Sequence, residues 1–265
     1  TFAANLSEAS PSVFLGVPRI WTKFQQGILK KLPQKKLNIL LSIPIISTLI
    51  KKKIQKGLGL SKARNIFTGA APTPVSTIKW FEKLGINIQE AYAMTENTCY
   101  SHVSFRDKIK IGSVGQALPL CDVKLSEQKE ILIKHDALMD GYYKDEAETN
   151  KTIIDGWLHT GDIGEINPKD GYLKITDRKK DIIVSAGGDN ISPAKIENII
   201  TNAIEIDQCM VYGDKKNYLV ALIVINKEYL KEKEKINNII ENINKKLTQV
   251  EKIKKIKLIN ENFSI

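Results

Sequence analysis

The stretch Asp170-Gly-Tyr-Leu-Lys-Ile-Thr-Asp-Arg-Lys-Lys-Asp-Ile-Ile-Val-Ser-Ala-Gly-Gly-Asp-Asn-Ile-Ser-Pro-Ala-Lys-Ile-Glu197 decides how this chain is read. A β-like piece, Tyr172–Thr176, runs into a basic hinge of Arg178, Lys179 and Lys180. A paired-glycine turn, Gly187-Gly188, then opens onto a helix with Ser192 at its N-cap and Pro193 at its first helical position. Serine accepts a backbone N–H at an N-cap, and proline fits the first turn because the N–H it lacks would be unpaired there anyway. Two adjacent glycines are called for where the backbone takes positive φ or something approaches it closely. Taken alone, the stretch also reads as a hairpin turn with a solvated basic patch.

Downstream, a strand at Cys209–Tyr212, a turn at Gly213–Asn217, a strand at Tyr218–Ile225, an amphipathic helix from about Lys227 and a strand near Ile253–Ile259 form a compact α+β pattern. Upstream, from about residue 111 to 178, short β-like pieces (Val123–Leu125, Glu130–Ile133, Ile163–Ile166) alternate with Gly-, Pro- and Asp-rich turns, predicting a small antiparallel barrel or sheet. Residues 11–30 predict a buried strand and then a helix beginning after Pro18. Arg64–Pro74 reads as a core strand ending in a small-residue loop, followed by a helix from Val75 to Leu84 and a strand from Asn87 to Ala91. Strand–helix–strand order argues for a parallel α/β sheet, whose ligands bind beyond the carboxyl ends of its strands. Gly69–Pro72 and Tyr92–Glu96 both fall at such ends. The domain boundary is placed at residues 178–180.

Composition sets outer limits. At 265 residues, 42% hydrophobic and 26% charged, the chain has the make-up of an ordinary globular protein. Cys99, Cys121 and Cys209 are odd in number and lack metal-ligand spacing, so they read as reduced thiols in an intracellular setting. The net charge of +10 is concentrated: no acidic residue lies between Glu8 and Glu82, while twelve basic residues lie from Arg19 to Arg64. They bracket the apolar run Leu37–Ile50, which at fourteen residues with an internal proline is too short to span a bilayer. The preferred reading is a buried helix with solvated lysines at both ends. The other is a basic, apolar helical hairpin making peripheral contact with an anionic membrane through residues 19–64. Nucleic acid is not expected as a partner, because the basic stretch lacks interleaved aromatics and any recognisable binding module.

Two further motifs complete the set: Tyr92-Ala-Met-Thr-Glu96 and Gly156-Trp-Leu-His-Thr-Gly-Asp162. In this order with the 170–197 stretch, they resemble the adenylate-forming superfamily of acyl-CoA synthetases and ligases. The wording of residues 177–193 is similar to the superfamily's long-chain fatty-acyl-CoA synthetase branch. The resemblance covers most of the chain and fades in residues 25–60 and 230–265. It implies a mixed α/β fold: a partial large domain (a parallel sheet plus a small β-barrel) over residues 1–178, then a small α+β lid domain over 179–265. It also implies ATP, Mg²⁺ and CoA as cosubstrates, a fatty acid as the acid activated, and a location in the cytoplasm or peripherally on a membrane.

The resemblance assigns the site residue by residue. Gly69, Ala70, Ala71 and Pro72 would line the adenine pocket with Glu90, Ala91, Tyr92 and Met94, and Tyr92 would cover the ring. Thr95 would donate to the α-phosphate and Glu96 would give Mg²⁺ a hard oxygen ligand. Asp162, emerging from a tight turn at a strand end, would accept both ribose hydroxyls, with Arg178 as a second ribose or phosphate contact. Lys180 would be the residue about which the lid swings between half-reactions. Ser185, Gly187 and Gly188 would face the pantetheine arm of CoA. On the residues alone, Tyr92 and Met94 read as core in preference to a site, Glu96 as a helix-starting residue, and Asp162 as a turn cap. His159 is assigned to packing, and His102 is expected to be a partly exposed structural histidine.

The family's glycine-rich phosphate loop and its C-terminal adenylation lysine have no counterpart among these residues. The chain is therefore expected to be the C-terminal portion of a synthetase, truncated before that lysine and inactive by itself. Two other readings remain: an enzyme of the same fold that loads a carrier protein, and a non-catalytic remnant that binds nucleotide or membrane.

Overall fold

The computed structural model describes residues 2–203, 205–226, 229, 233–259 and 261–263. By internal contacts the chain divides into two compact units. The first comprises residues 1–123, 133–158 and 166–174, and the second residues 124–132, 159–165 and 175–265.

A five-stranded sheet organises the first unit. Its strands Val13–Gly16, Asn65–Thr68, Gln89–Tyr92, His102–Val103 and Gln116–Ala117 lie side by side in that order. The first three are parallel, as the strand–helix–strand sequence predicts, and the last two join antiparallel. The helix Pro18–Lys31 starts with its proline in the first turn, as the sequence predicts. It packs Trp21 and Phe24 with Phe14, and with Ile78 and Phe81 of the helix Val75–Lys83. Trp21 is fully buried; its indole N–H is satisfied by the carbonyl of Gly16 at 2.9 Å, and its ring meets Phe81 edge-on at 5.2 Å.

The apolar run Leu37–Ile50 departs from the expectation of one buried helix. It forms parts of two helices, Gln34–Ser42 and Pro44–Gly57, because Pro44 cannot donate to the preceding turn and holds Ile43 in extended backbone. Leu37 is buried, but Ile39, Ile45 and Leu49 are 64%, 78% and 63% exposed. One face packs and the other is apolar and open.

A second sheet orders its strands Leu173–Arg178, Trp157–Ile166, Glu130–Lys134 and Asp122–Leu125. The short strand Ile153–Ile154 folds back antiparallel on Trp157–Leu158 through Asp155-Gly156, both at positive φ as a tight hairpin turn requires.

The second unit carries the three-stranded sheet Ile206–Tyr212, Leu219–Ile225 and Ile253–Ile259. The middle strand is antiparallel to the first and parallel to the third, and it reads Leu-Val-Ala-Leu-Ile-Val-Ile because it is largely buried. Ile196 and Ile200 of the helix Pro193–Thr201, with Ile236, Ile240 and Ile243 of the helix Lys233–Asn244, fill the core at helical spacing. Ser192 caps the first of these helices by accepting the N–H of Lys195 at 3.1 Å. The start of the second near Lys227, read from the sequence, falls on residues outside those described.

Candidate active site

In the first unit, parallel pairing sets the ends of two strands side by side, with Thr68 opposite Glu90. This places the loop Gly69–Pro72 against Ala91, where a side chain at Gly69 would stand 3.0 Å from the Ala91 carbonyl. The loop is closed by Thr68 Oγ1 and Thr73 Oγ1 at 2.7 Å, and it holds Ala70 at φ +66°, a left-handed conformation unfavourable for a residue with a Cβ. Glu90 is half-buried, and its Oε2 accepts the N–H of Gly112 at 2.8 Å. Burial raises its carboxyl to about 7, with backbone hydrogen bonds from Gly112 and Ser113 offsetting part of the rise. Tyr92 is buried and lies 6.0 Å from the His102 ring.

Met94, Thr95 and Glu96 follow in a tight turn. Asn97 is fully buried, and its Oδ1 accepts the Met94 N–H at 3.0 Å. Thr98 and Cys99 continue at φ +51° and +57°, so the turn is both side-chain-braced and strained. Glu96 Oε1 accepts the Tyr142 hydroxyl at 2.9 Å, and its backbone carbonyl accepts the N–H of Met139 at 2.8 Å. Tyr142 titrates above its ordinary range, from desolvation first and the Glu96 carboxylate next. Among the described residues, no three His, Cys, Asp or Glu side chains gather as a metal cage. Mg²⁺ carried by nucleotide phosphates needs only one or two protein carboxylates, and Glu96 fits that lesser requirement.

The second unit presents a different cluster. Asp162 is buried, and its Oδ1 lies 3.3 Å from Arg178 Nε, while Arg178 is 58% exposed in its side chain. The sequence suggests a tight turn at a strand end here, but Thr160-Gly161 lies inside the ten-residue strand Trp157–Ile166. Gly161 kinks that strand at φ +71°, a conformation glycine tolerates at a bulge, so Asp162 is still projected by local backbone distortion. Beneath the kink lies Glu130, which is almost fully buried. Its Oε1 accepts the Gly161 N–H at 3.0 Å, and its Oε2 receives Lys179 Nζ at 3.0 Å with His159 Nδ1 at 3.5 Å. Burial alone would raise this carboxyl, but the bonds from Lys179, Gly161 and His159 outweigh it and hold the group low. Lys180 follows in the turn Lys179–Asp181 and is exposed.

Ser185, Gly187 and Gly188 form the loop of a two-stranded ribbon, Ile183–Val184 against Asn190–Ile191. The Ser185 hydroxyl donates to Asp189 Oδ2 at 3.0 Å and accepts the N–H groups of Gly187 and Asp189. Gly188 takes φ +85°, which meets the expectation of a positive φ in the glycine pair.

The predicted residues thus fall into three groups: the 69–72 and 90–96 set, the Asp162–Arg178 pair, and the 185–188 turn. Nothing local in the sequence marks Tyr142 or Glu130 as a neighbour of these residues. Asn97 carries one local signal, its place directly after Thr95-Glu96. His102, expected to be partly exposed, is buried with Nδ1 2.8 Å from Ser101 Oγ, and burial pushes it down to about 4. The three cysteines are unpaired thiols.

The first unit, a mainly parallel α/β sheet with a small-residue loop and a braced Thr-Glu turn, and the second, with its carboxylate–arginine pair, define the class: a protein of mixed α/β fold. Family comparison takes this further. The AMP-binding enzyme model matches residues 1–143, and the model of the AMP-binding enzyme C-terminal domain matches residues 180–262. The chain belongs to the AMP-binding enzyme family, the adenylate-forming superfamily.

Long-chain-fatty-acid–CoA ligase ACSBG2 of Xenopus laevis is 32% identical over 85% of this chain and 35% of its own length. Long chain acyl-CoA synthetase 6, peroxisomal, of Arabidopsis thaliana is 33% identical over 86% of this chain and 37% of its own. Anthranilate CoA ligase AuaEII, solved in complex with anthranoyl-AMP, superposes with a TM-score of 0.76 at 20% identity, over 98% of this chain and 49% of that one. The chain therefore spans less than half the length of each of these relatives. Among the described residues, no helix is long and apolar enough to cross a membrane.

Proposed function

We propose that this chain is part of an ATP-dependent ligase that activates a long-chain fatty acid as its acyl adenylate and transfers the acyl group to CoA. The observation that carries the reading is the buried Asp162 carboxylate held against the permanently charged, exposed Arg178, in a chain of this family. A buried acceptor beside a forked donor suits a ribose diol next to a phosphate.

In the first step a carboxylate oxygen attacks the α-phosphorus of ATP, and the bond to pyrophosphate breaks. In the second the CoA sulfur, having lost its proton, attacks the carbonyl of the mixed anhydride, and the bond to AMP breaks. Thr95 donates its hydroxyl to the α-phosphate. Glu96 would hold Mg²⁺, which would supply charge neutralisation at the phosphates. Tyr142 fixes the orientation of that carboxylate by hydrogen bonding one oxygen. Gly69, Ala70, Ala71 and Pro72 with Glu90, Ala91, Tyr92 and Met94 line the adenine site. Rate acceleration comes from positioning and charge neutralisation.

On this reading residues 1–178 belong to the adenylate-binding domain and 179–265 to a lid hinged at Lys180, with Ser185, Gly187 and Gly188 along the pantetheine arm. The 265 residues alone are expected to release no AMP, since they hold neither a triphosphate-cradling loop nor the adenylation lysine. In the full-length protein, Asp162→Ala and Thr95→Ala are each expected to cut acid-dependent exchange of pyrophosphate into ATP by at least a hundredfold. Exchange at parental rates in both variants would overturn the site assignment, and CoA-independent turnover would move the protein to carrier loading.

Residues 19–64 favour a second, compatible role in peripheral membrane contact. Ile39, Ile45 and Leu49 are exposed beside Lys51, Lys52 and Lys53, a combination suited to an anionic bilayer surface. Salt-sensitive binding to phosphatidylglycerol vesicles, lost when these three lysines are changed to Gln, is expected; equal binding by that variant would refute it.

A further inference from the structure

Resting on the nucleotide reading above, we propose that Glu130 is a positioning residue for the ribose contact, setting Asp162 against Arg178 by holding the residue next to each. All the residues concerned belong to the second unit. Gly161 comes directly before Asp162, and Lys179 directly after Arg178. One carboxylate reaches both neighbours: Glu130 Oε1 accepts the Gly161 N–H at 3.0 Å, and Oε2 accepts a hydrogen bond from Lys179 Nζ at 3.0 Å.

A side chain added at Gly161 would meet no atom within 4 Å, so its φ of +71° is not forced by crowding. The kink is held instead from the strand Glu130–Lys134. The Glu130 carboxylate takes the Gly161 N–H, and the Ile131 carbonyl accepts the Thr160 hydroxyl at 2.8 Å while that oxygen accepts the Asp162 N–H at 3.1 Å. Lys179 comes from farther away. It follows the strand Leu173–Arg178, and the strand Trp157–Ile166 lies between that strand and Glu130–Lys134. At roughly 4.8 Å per strand, the Lys179–Glu130 contact bridges about 10 Å of sheet beneath the kink. Arg178 is extended, at φ −104° and ψ 138°, so its side chain and that of Lys179 leave the chain on opposite sides. One goes to Asp162 and the other to Glu130.

Folding stability is a weak reason for this arrangement. A buried ion pair often does no better for folding than apolar side chains of the same volume. What apolar atoms cannot do is fix a backbone N–H and an ammonium in direction. Glu130 is buried, and its bonds from Lys179, Gly161 and His159 keep the carboxyl ionised at neutral pH, so both directions are held by charge. Arg178 gains most from this. Its side chain is largely exposed and meets Asp162 through a single contact of 3.3 Å, so the backbone anchor after it limits where the guanidinium can go. A pair set in advance leaves less ordering for a nucleotide to impose, and a misplacement of about 1 Å can cost on the order of a hundredfold in rate.

The test is acid-dependent exchange of pyrophosphate into ATP, 2′-deoxy-ATP and 3′-deoxy-ATP by the full-length protein. The parent is expected to favour ATP over either deoxy nucleotide at least tenfold in kcat/KM, because Asp162 accepts both ribose hydroxyls. Glu130→Gln and Lys179→Gln are each expected to raise the KM for ATP at least fivefold and to cut that preference to threefold or less, with the KM for the fatty acid unmoved. Lys179→Arg keeps a cation within reach of the same carboxylate and is expected to hold the preference within twofold of the parent's. Lys179 is exposed at its outer end, so its variants decide the matter even if Glu130→Gln fails to fold. If Lys179→Gln keeps the parent's preference for ATP, Glu130 and Lys179 serve the fold alone, and the proposal falls while the nucleotide reading stands. If the parent uses the deoxy nucleotides as readily as ATP, or shows no acid-dependent exchange, the proposal and the nucleotide reading fall together.

Discussion

Glu90 offers a prediction whose size can be worked from the structure. Its carboxyl is raised from an ordinary 4.5 to about 7, chiefly by burial. A folded-state value above the unfolded one means that the native protein binds the proton more tightly, so stability is lost as pH rises through this interval. Below about pH 4.5 the acid is neutral in both states and costs nothing. Above about pH 7 the folded protein must hold a desolvated carboxylate. Each tenfold change in proton affinity is worth about 1.4 kcal/mol, so this cost is on the order of 3 kcal/mol.

Glu90→Gln removes the titration and keeps an oxygen that can accept the Gly112 N–H. The variant should therefore match the parent near pH 4 and exceed it by about 2–3 kcal/mol at pH 8.5, less whatever solvent reaches the half-buried group. Urea unfolding followed by tryptophan fluorescence suits the measurement, because Trp21, Trp80 and Trp157 all belong to the same unit as Glu90. Parallel stability profiles for parent and variant from pH 4 to 8.5 would refute the reasoning.

Three further outcomes are expected. Glu130→Gln should destabilise at pH 7 by about 1–3 kcal/mol, since it breaks a buried charge-assisted contact to Lys179, and the difference should vanish as the parent carboxyl is protonated at low pH; a pH-independent deficit in thermal melts would contradict this. Ser192→Ala should cost about 1 kcal/mol through the lost helix cap, seen as a lower urea midpoint at unchanged slope. Arg178→Ala should lower the melting temperature only slightly, since solvent screens the exposed Arg178 end of its pair with the buried Asp162 and the pair is worth about 1 kcal/mol. The same variant should weaken ATP binding at least tenfold by calorimetry.

Local signals were the legible ones. Pro18 at the start of a helix, Ser192-Pro193 at the start of another, and the isoleucine- and lysine-rich strand Ile253–Ile259 all follow from chemistry carried within a few residues. The glycine pair announced its turn, and the strand–helix–strand order of 64–92 announced parallel pairing. Contacts made at long separation were not legible. Tyr142 reaches Glu96 across 46 residues and Lys179 reaches Glu130 across 49, and nothing in either segment marks the other. The run Leu37–Ile50 departs from its sequence reading because an apolar stretch states that surface will be hidden, without stating by what or on which face. Gly161 misled for a related reason: glycine punctuates turns, yet here it kinks a continuous strand.

The central claim is acid activation followed by thioester formation. The most direct measurement is AMP release by the full-length protein across acids from acetate to stearate, with and without CoA. The account predicts release that needs both a long acid and CoA. No acid-dependent release, or release that rises with acid and ignores CoA, would contradict it.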